Sequence, residues 1–383
     1  MIIASQRDKF SMPRDLCYLN AAYMTPQTLA MQEIGAEAVA RRARPWRISE
    51  ADFFSDVERL RAAFARLIGA SAENVAIIPA ASYGIAVAAR NMKLEPDQAI
   101  LVLGQQFPSN VYSWIRLAEE QGAELLVAKR RAGEDWAEAV IRTTNEAAGR
   151  VQVFALPQVH WSDGAPVDLH RIAGLVGDLG AQLVLDVTQS LGAVPFDIDG
   201  LNPDYVIAAG YKWLFCPYGI SFLYLAEPHF EGVPLEENWI NRMGSEDFAG
   251  PVDYEPRYLP GARRFDMGER AQFGQLPMAI EALRQIDEWG VQNIAETLAA
   301  TNREIADLFA AYGFVAATGQ GSPHLMGLVA DQEPPADLVG GLAGAGVKLS
   351  LRDRAVRISP HLYNDAEDLE LLGRALEATL GRP

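Results

Sequence analysis

Lysine is scarce in this chain, with five lysines (Lys9, Lys93, Lys129, Lys212 and Lys348) against 28 arginines. Four of the five sit in polar or terminal contexts. Lys212 alone lies inside an apolar run, YVIAAGYKWLFCPYGISFLYLA from Tyr205 to Ala226. An ammonium buried there costs several kcal/mol unless it is paired or gives up its proton. Burial lowers a lysine pKa, and the neutral amine is the form that attacks a carbonyl to make a Schiff base. A salt-bridged lysine at a strand end answers the same pattern. Asp186, which closes the apolar run QLVLD, can supply a counter-charge if its strand neighbours the one that leads to Lys212. It can pair with Lys212 directly, or it can keep the ring nitrogen of a pyridine cofactor such as pyridoxal phosphate protonated, which turns the ring into an electron sink. Ser82, in IIPAASYGIAVAAR, stands where a strand gives way to a helix and fits an N-cap. It either only caps the helix or marks a turn whose free N–H groups take a phosphate.

These residues need a frame. Strand-like runs occur at 75–79 (VAIIP), 99–103 (AILVL), 124–128 (ELLVA), 151–156 (VQVFAL), 182–186 (QLVLD) and 204–208 (DYVIA). Helical patterns fall at 27–44, 51–68, 83–92, 109–121, 135–147 and 168–179. The alternation predicts an α/β fold with a mostly parallel open sheet flanked by helices. From about 275 the texture changes to helices near 275–288 and 293–312. Short strands near 314–317, 325–330, 347–350 and 355–358 follow, with a last helix from about 365, a smaller α+β domain. The division expected is 16–285 for the large domain, and 1–15 with 286–383 for the small domain and N-terminal arm. Ligands bind beyond the carboxyl ends of the strands in such sheets. Ser82, Phe107, His160, Asp163, Asp186 and Lys212 all follow or end strands and are expected on one side.

Several function classes drop out. The formal charge of −17 and the lack of a basic stripe argue against nucleic acid as a partner. Two distant cysteines, Cys17 and Cys216, cannot build a disulfide framework or a cysteine metal site, and the five histidines show no chelating spacing. No dinucleotide, P-loop, zincin or nucleophile-elbow motif occurs. Residues 205–226 are long enough to span a bilayer, but Gly210, Pro217 and Gly219 interrupt them, which predicts two short strands (205–209 and 219–225) around a turn. The start MIIASQRDK turns polar too early for a secretory signal, so a cytoplasmic protein is expected.

The segment DVTQSLGAVPFDI, with DYVIAAGYKWLFCPYGISFLYL after it, closely resembles the class V aminotransferase superfamily of fold type I pyridoxal-phosphate enzymes. That group includes cysteine desulfurases, isopenicillin N epimerase-like proteins and kynureninases. CYLNAAYMTP and VRISPHLYND match it too, so the resemblance spans nearly the whole chain. It implies pyridoxal 5'-phosphate as cofactor, a small amino acid as substrate and a homodimer. By the same resemblance Lys212 forms the internal aldimine and moves the Cα proton, Asp186 faces the ring nitrogen, and Gln189 bonds the ring hydroxyl. Phe107 stacks on the ring, Asp163 stands where relatives carry Asn beside it, and Ala81 and Ser82 match the phosphate turn. Tyr211 is expected to reach the phosphate, as in kynureninases, and Trp239 of ENWINR to lie near it. Arg357, with Asn20, is expected at the substrate carboxylate, which guanidinium can bind through two parallel hydrogen bonds.

Departures from the family pattern matter as well. No cysteine lies in the small domain to carry a persulfide, Ala209 replaces a phosphate-binding Ser of desulfurases, and FDMGER lacks the Gly-Thr that relatives extend to a neighbouring subunit. DVTQS is not the kynureninase form of its motif. Aminotransferase-like action at Cα is the reaction expected, with a β-lyase or epimerase as alternative and, from another class, a regulatory protein that binds the cofactor without catalysis.

Overall fold

The computed structural model describes residues 1–250, 254–318, 321–330, 335 and 337–382. Thirteen strands occur among them: β1 (Cys17–Tyr18), β2 (Val75–Ile78), β3 (Ala99–Leu103), β4 (Glu124–Ala128), β5 (Val151–Pro157), β6 (Gln182–Asp186), β7 (Tyr205–Ala209) and β8 (Ser221–Leu225), then β9 (Phe314–Ala316), β10 (Met326–Ala330), β11 (Val347–Lys348), β12 (Ser350–Arg352) and β13 (Ala355–Ile358). The helices that concern the site are α1 (Leu29–Arg42), α2 (Ser55–Ile68) and α3 (Ala81–Arg90).

Seven strands form the large sheet in the order β2-β8-β7-β6-β5-β3-β4. All run the same way except β8, which is antiparallel to both neighbours. The central strands are largely continuous apolar runs because helices cover both faces, as buried parallel strands require. The apolar run at 205–226 therefore splits into β7 and β8 around a turn, as its glycines and proline predict. No described helix is long and apolar enough to cross a membrane.

A second sheet, β12-β13-β10-β9, is antiparallel, and β1 pairs in parallel with β11. One strand expected near 347–350 is thus two: β11 joins β1, the backbone changes partner at Leu349, and β12 joins β13. A seven-residue helix, Leu338–Gly344, was not legible, since its sequence LVGGLAG carries three glycines. Its Leu338 and Leu342 fill the core between this sheet and the last helix, Ala366–Leu380.

Two buried charge clusters tie the pieces together. Arg7, in the N-terminal arm, donates to Asp368 Oδ1 (2.7 Å) and to the Pro13 carbonyl (2.7 Å). Under the large sheet, Asp266 of FDMGER accepts from Arg61 on α2 (2.7 Å), from Arg270 (2.8 Å) and from the backbone N–H of Ile77 in edge strand β2 (2.7 Å). In this chain that segment braces the edge of the sheet. Removing one partner leaves buried charge uncompensated, at a cost of about 3–5 kcal/mol. Asp266→Ala is therefore expected to lower the unfolding free energy by that amount in urea melts; a loss below about 1 kcal/mol would show that the cluster carries no such weight.

Candidate active site

The carboxyl ends of β3, β5, β6 and β7 meet around a narrow inner chamber lined by Gln106, Phe107, Pro157, Trp161, Asp186 and Lys212, among others. It opens into an outer chamber of about 290 Å³, where Phe107, Trp161, Gln189 and Lys212 are joined by Tyr211, Arg352 and Arg357. A wider cleft of about 1250 Å³ elsewhere, lined by Arg130, Trp136, Asp168 and His170, contains none of the expected site residues. Its charges are already met, with Arg130 on Asp163 (2.9 Å) and His170 near Asp197 (3.7 Å).

Lys212 sits three residues beyond β7, in a turn that can bend this tightly only because residue 210 has no side chain. A Cβ on Gly210 would lie 2.5 Å from the Ile220 carbonyl oxygen and 2.8 Å from Cys216 Cβ. The Gly210 N–H donates to Ile220 O (3.1 Å) and the Cys216 N–H to Gly210 O (2.9 Å), closing the loop. Phe215, in the same turn, is held at φ +57°, which costs a non-glycine residue energy that the closed loop must supply. The side chain of Lys212 is buried, with Nζ 5.4 Å from the Phe107 ring centre and 5.6 Å from that of Tyr211.

Asp186 is buried at the end of β6, opposite Ile207 of β7. The Thr188 N–H donates to its Oδ1 (3.0 Å), and Thr188 Oγ1 accepts from the Ala209 N–H (3.0 Å), so the two strand ends are laced together. Among the described residues no ion pair within 4 Å involves Lys212 or Asp186. Each is a buried ionisable group near the other, yet not neutralised by contact. Burial raises the Asp186 pKa, opposed by Thr188 and by the charge of Lys212. Burial likewise pulls the Lys212 ammonium down to about 8, with Asp186 acting upward and Arg357 and Arg352 downward. The amine is thus poised to lose its proton near neutral pH, as a carbonyl-attacking lysine must.

Gln189 is fixed from both sides: its Nε2 donates to Ala22 O (3.2 Å) and its Oε1 accepts from Trp213 Nε1 (3.1 Å). Arg357, buried on β13, donates from Nε to Ser350 Oγ (3.2 Å) and from Nη1 to Trp161 O (3.0 Å). Among the described residues it meets no carboxylate. A buried guanidinium bonded only to neutral oxygens is a receptor for an anion from outside. Asn20 bridges to Ser359, just past β13, and its Oδ1 is buried without a partner. It precedes Ala22, Tyr23 and Met24, which form one wall of the outer chamber.

Three expected residues stand elsewhere. Asp163 is drawn to Arg130 (2.9 Å) and His160 (3.3 Å) and lines neither chamber, because these neighbours satisfy its carboxylate outside the cavity. Trp239 is half exposed in a separate aromatic group with Phe53 (6.5 Å) and Phe248 (5.3 Å). Ser82 is not the cap of α3: Ala80 holds that position, with no side-chain bond, and Ala81 and Ser82 form the first helical turn. That turn is left with N–H groups no side chain caps, which suits an anion arriving from solution. It rests close on the sheet, where a Cβ on Gly84 would come 2.9 Å from Ile78 Cδ1.

The sequence reading missed Trp161, Thr188 and Arg352. Trp161 had a signal, for Pro157, Val159 and Trp161 continue the two-residue alternation of β5 into the inner chamber.

The model of the family described as "Aminotransferase class-V" matches residues 29–372. The chain belongs to this family. It is 25% identical over 323 residues to the uncharacterized aminotransferase YcbU of Bacillus subtilis, covering 82% of this chain and 80% of that protein. With a kynureninase of Deinococcus radiodurans it shares 29% identity over 299 residues, 74% of this chain and 70% of the relative. The solved structure of a C-DES mutant with glycine covalently linked to its pyridoxal-phosphate cofactor superposes with a TM-score of 0.83 at 17% identity, covering 97% of this chain and 98% of that one. The fold is fold type I, and the family's cofactor is pyridoxal 5'-phosphate. The donor set around the chambers fits that group: an unpaired buried amine for its aldehyde, a buried carboxylate for its ring nitrogen and aromatic walls for its ring.

The lowered Lys212 pKa has a stability consequence with a definite sign. Below pH 8 the amine is charged in both folded and unfolded chains, and the fold bears the full cost of burying it, about 2–4 kcal/mol at ~1.4 kcal/mol per pH unit. Between pH 8 and 10.5 the unfolded chain binds the proton more tightly, so stability rises with pH and the cost fades. Lys212→Met is expected to stabilise the cofactor-free protein at pH 7 and to lose that advantage toward pH 10.5. Denaturant melts of both proteins at several pH values check this, and a pH-independent difference would contradict it.

Proposed function

We propose that the chain is a pyridoxal-phosphate-dependent aminotransferase that acts at Cα of a small amino acid. The observation that carries the reading is the pairing, across one small cavity, of the unpaired amine of Lys212 with the uncompensated guanidinium of Arg357. One group holds a carbonyl, the other a carboxylate, and an α-amino acid bridges them.

Bound here, the cofactor supplies a conjugated ring that takes up the electron pair released when a bond at Cα breaks. Lys212 Nζ would hold its aldehyde carbon, and the same amine, when free, would carry the Cα proton. An Oδ atom of Asp186 keeps the ring nitrogen protonated, a task for which Thr188 fixes the carboxylate. Phe107 would lie against the ring, Gln189 would bond its hydroxyl, and Tyr211 with the N–H groups of Ala81 and Ser82 would receive the phosphate. Arg357 orients the substrate through two parallel hydrogen bonds to its carboxylate. Trp161, with Phe107, shuts out water. In this reading residues 16–285 hold the cofactor, while 1–15 and 286–383 bring Arg357 to it. The enzyme works in the cytoplasm as a homodimer, in which the exposed aromatic group around Trp239 is covered.

Transfer of sulfur to a cysteine persulfide finds no support. Cys17 and Cys216 are both buried, burial raises both thiol pKa values, and neither lines a chamber. A β-lyase is the second reading, favoured by the kynureninase relative at 29% identity.

Incubating the loaded enzyme with single amino acids and identifying keto acid, β-elimination product or inverted substrate decides the reaction, and formation of no keto acid from any of them would overturn the aminotransferase reading. Lys212→Ala is expected to abolish the visible absorption of the bound cofactor, and a wild type colourless at saturating cofactor would refute the whole proposal. Arg357→Lys should raise KM for amino acids tenfold or more, since lysine cannot reproduce two parallel bonds; an unchanged KM would remove Arg357 from the site.

A further inference from the structure

The outer chamber carries more positive charge than one α-carboxylate requires. Lys212, Arg352 and Arg357 all line it, and no Asp or Glu does, in a chain whose net charge is −17. Arg352 has no part in the chemistry above. Its place follows from the β12–β13 register, in which Ser350 faces Arg357 and Arg352 faces Ala355. Side chains two apart share a face, so Arg352 and Arg357 project from the same side of the hairpin as diagonal neighbours, about 7–8 Å apart at the backbone.

Arg352 is poorly satisfied there. Its Nη1 donates to the carbonyl of Leu351 (2.9 Å), its Nε is buried without a partner, and its guanidinium lies 5.8 Å from the Trp161 ring centre. Among the described residues it has no carboxylate partner. The other fully buried arginines are neutralised, Arg61 and Arg270 by Asp266 and Arg7 by Asp368, whereas the buried Arg357 and its half-buried neighbour Arg352 are not. Two like charges side by side, both without counter-ions and both lowering the proton affinity of Lys212, fit a ligand that brings two negative groups.

We infer that Arg352 binds a second anionic group, so that the preferred substrate is an amino acid whose side chain ends in a carboxylate. Arg357 takes the α-carboxylate and Arg352 the distal one, with Trp161, whose carbonyl accepts from Arg357 and whose ring lies 5.8 Å from the Arg352 guanidinium, beside the carbon chain. The inference rests on the reading of Lys212 and Arg357 given above and deepens it.

The test compares acidic amino acids with their neutral isosteres. Loaded enzyme is assayed for kcat/KM with L-aspartate against L-asparagine and L-glutamate against L-glutamine. Cofactor-free protein is titrated by calorimetry with succinate against butyrate. The wild type is expected to favour at least one acid over its amide by tenfold or more and to bind succinate the more tightly. Arg352→Gln should cut the acid-to-amide ratio at least tenfold and remove the succinate preference, while Arg352→Lys keeps most of both. A wild-type ratio near one, with amino acids still turned over, would overturn this inference and leave the proposed function standing. Equal losses for acid and amide in Arg352→Gln would overturn it too, because Arg352 would then share the α-carboxylate. Selective succinate binding without reaction of any amino acid would sustain the charge pair and refute the proposed function.

Discussion

The dry amine of Lys212 is the constraint around which the site is built. A carboxylate in contact would make it an ordinary salt bridge, stable and inert. Asp186 is close enough to pull on its charge and is kept from contact by its own anchoring to Thr188 and the end of β7. Burial of both groups costs free energy, and the surrounding fold supplies it: a central sheet of largely apolar strands, the buried Asp266 cluster at its edge and a closed turn that holds Phe215 at positive φ. Such stored cost is expected at a site that must bind something, because binding relieves it.

The same logic orders the cavity from back to front. Asp186, which lines only the inner chamber, is suited to a ring nitrogen. Lys212 marks the boundary between the two chambers. Arg357 and Arg352, on a hairpin of the second sheet, form the positive outer wall. The second sheet thus closes the cavity with a charge opposite to that of its floor. It meets the large sheet's loops directly, through the Gly327 N–H on the Asp163 carbonyl (2.8 Å) and Arg357 on the Trp161 carbonyl (3.0 Å), and the N-terminal arm joins it through β1 on β11 and Arg7 on Asp368.

Much of this could be read in the sequence where physics leaves few options. Buried parallel strands are continuous apolar runs, so the seven-stranded sheet was legible, and a polar residue closing such a run, as Asp186 does, stands out. Lys212 was legible because lysine is otherwise rare and exposed here. What escaped depended on partners distant in the chain. Asp163 follows a strand and satisfies the sequence rule, yet Arg130, 33 residues earlier, claims it. Ser82 looks like a cap, but the turn begins two residues sooner. Arg352 lies beyond the expected strand end at 350, and only the pairing of β12 with β13 shows which way it faces.

That last case has a wider point. A substrate pocket is described by its unmet valences as much as by its contacts. Asp266 and Arg61, both buried, are interesting for stability because their charges are satisfied. Arg357 and Arg352 are interesting for function because theirs are not. In a chain with seventeen more acidic than basic residues, a cavity lined by three cations and no acid stands apart from the rest of the molecule. Its charge is completed by whatever enters, which ties the identity of the substrate to the electrostatics of a single hairpin.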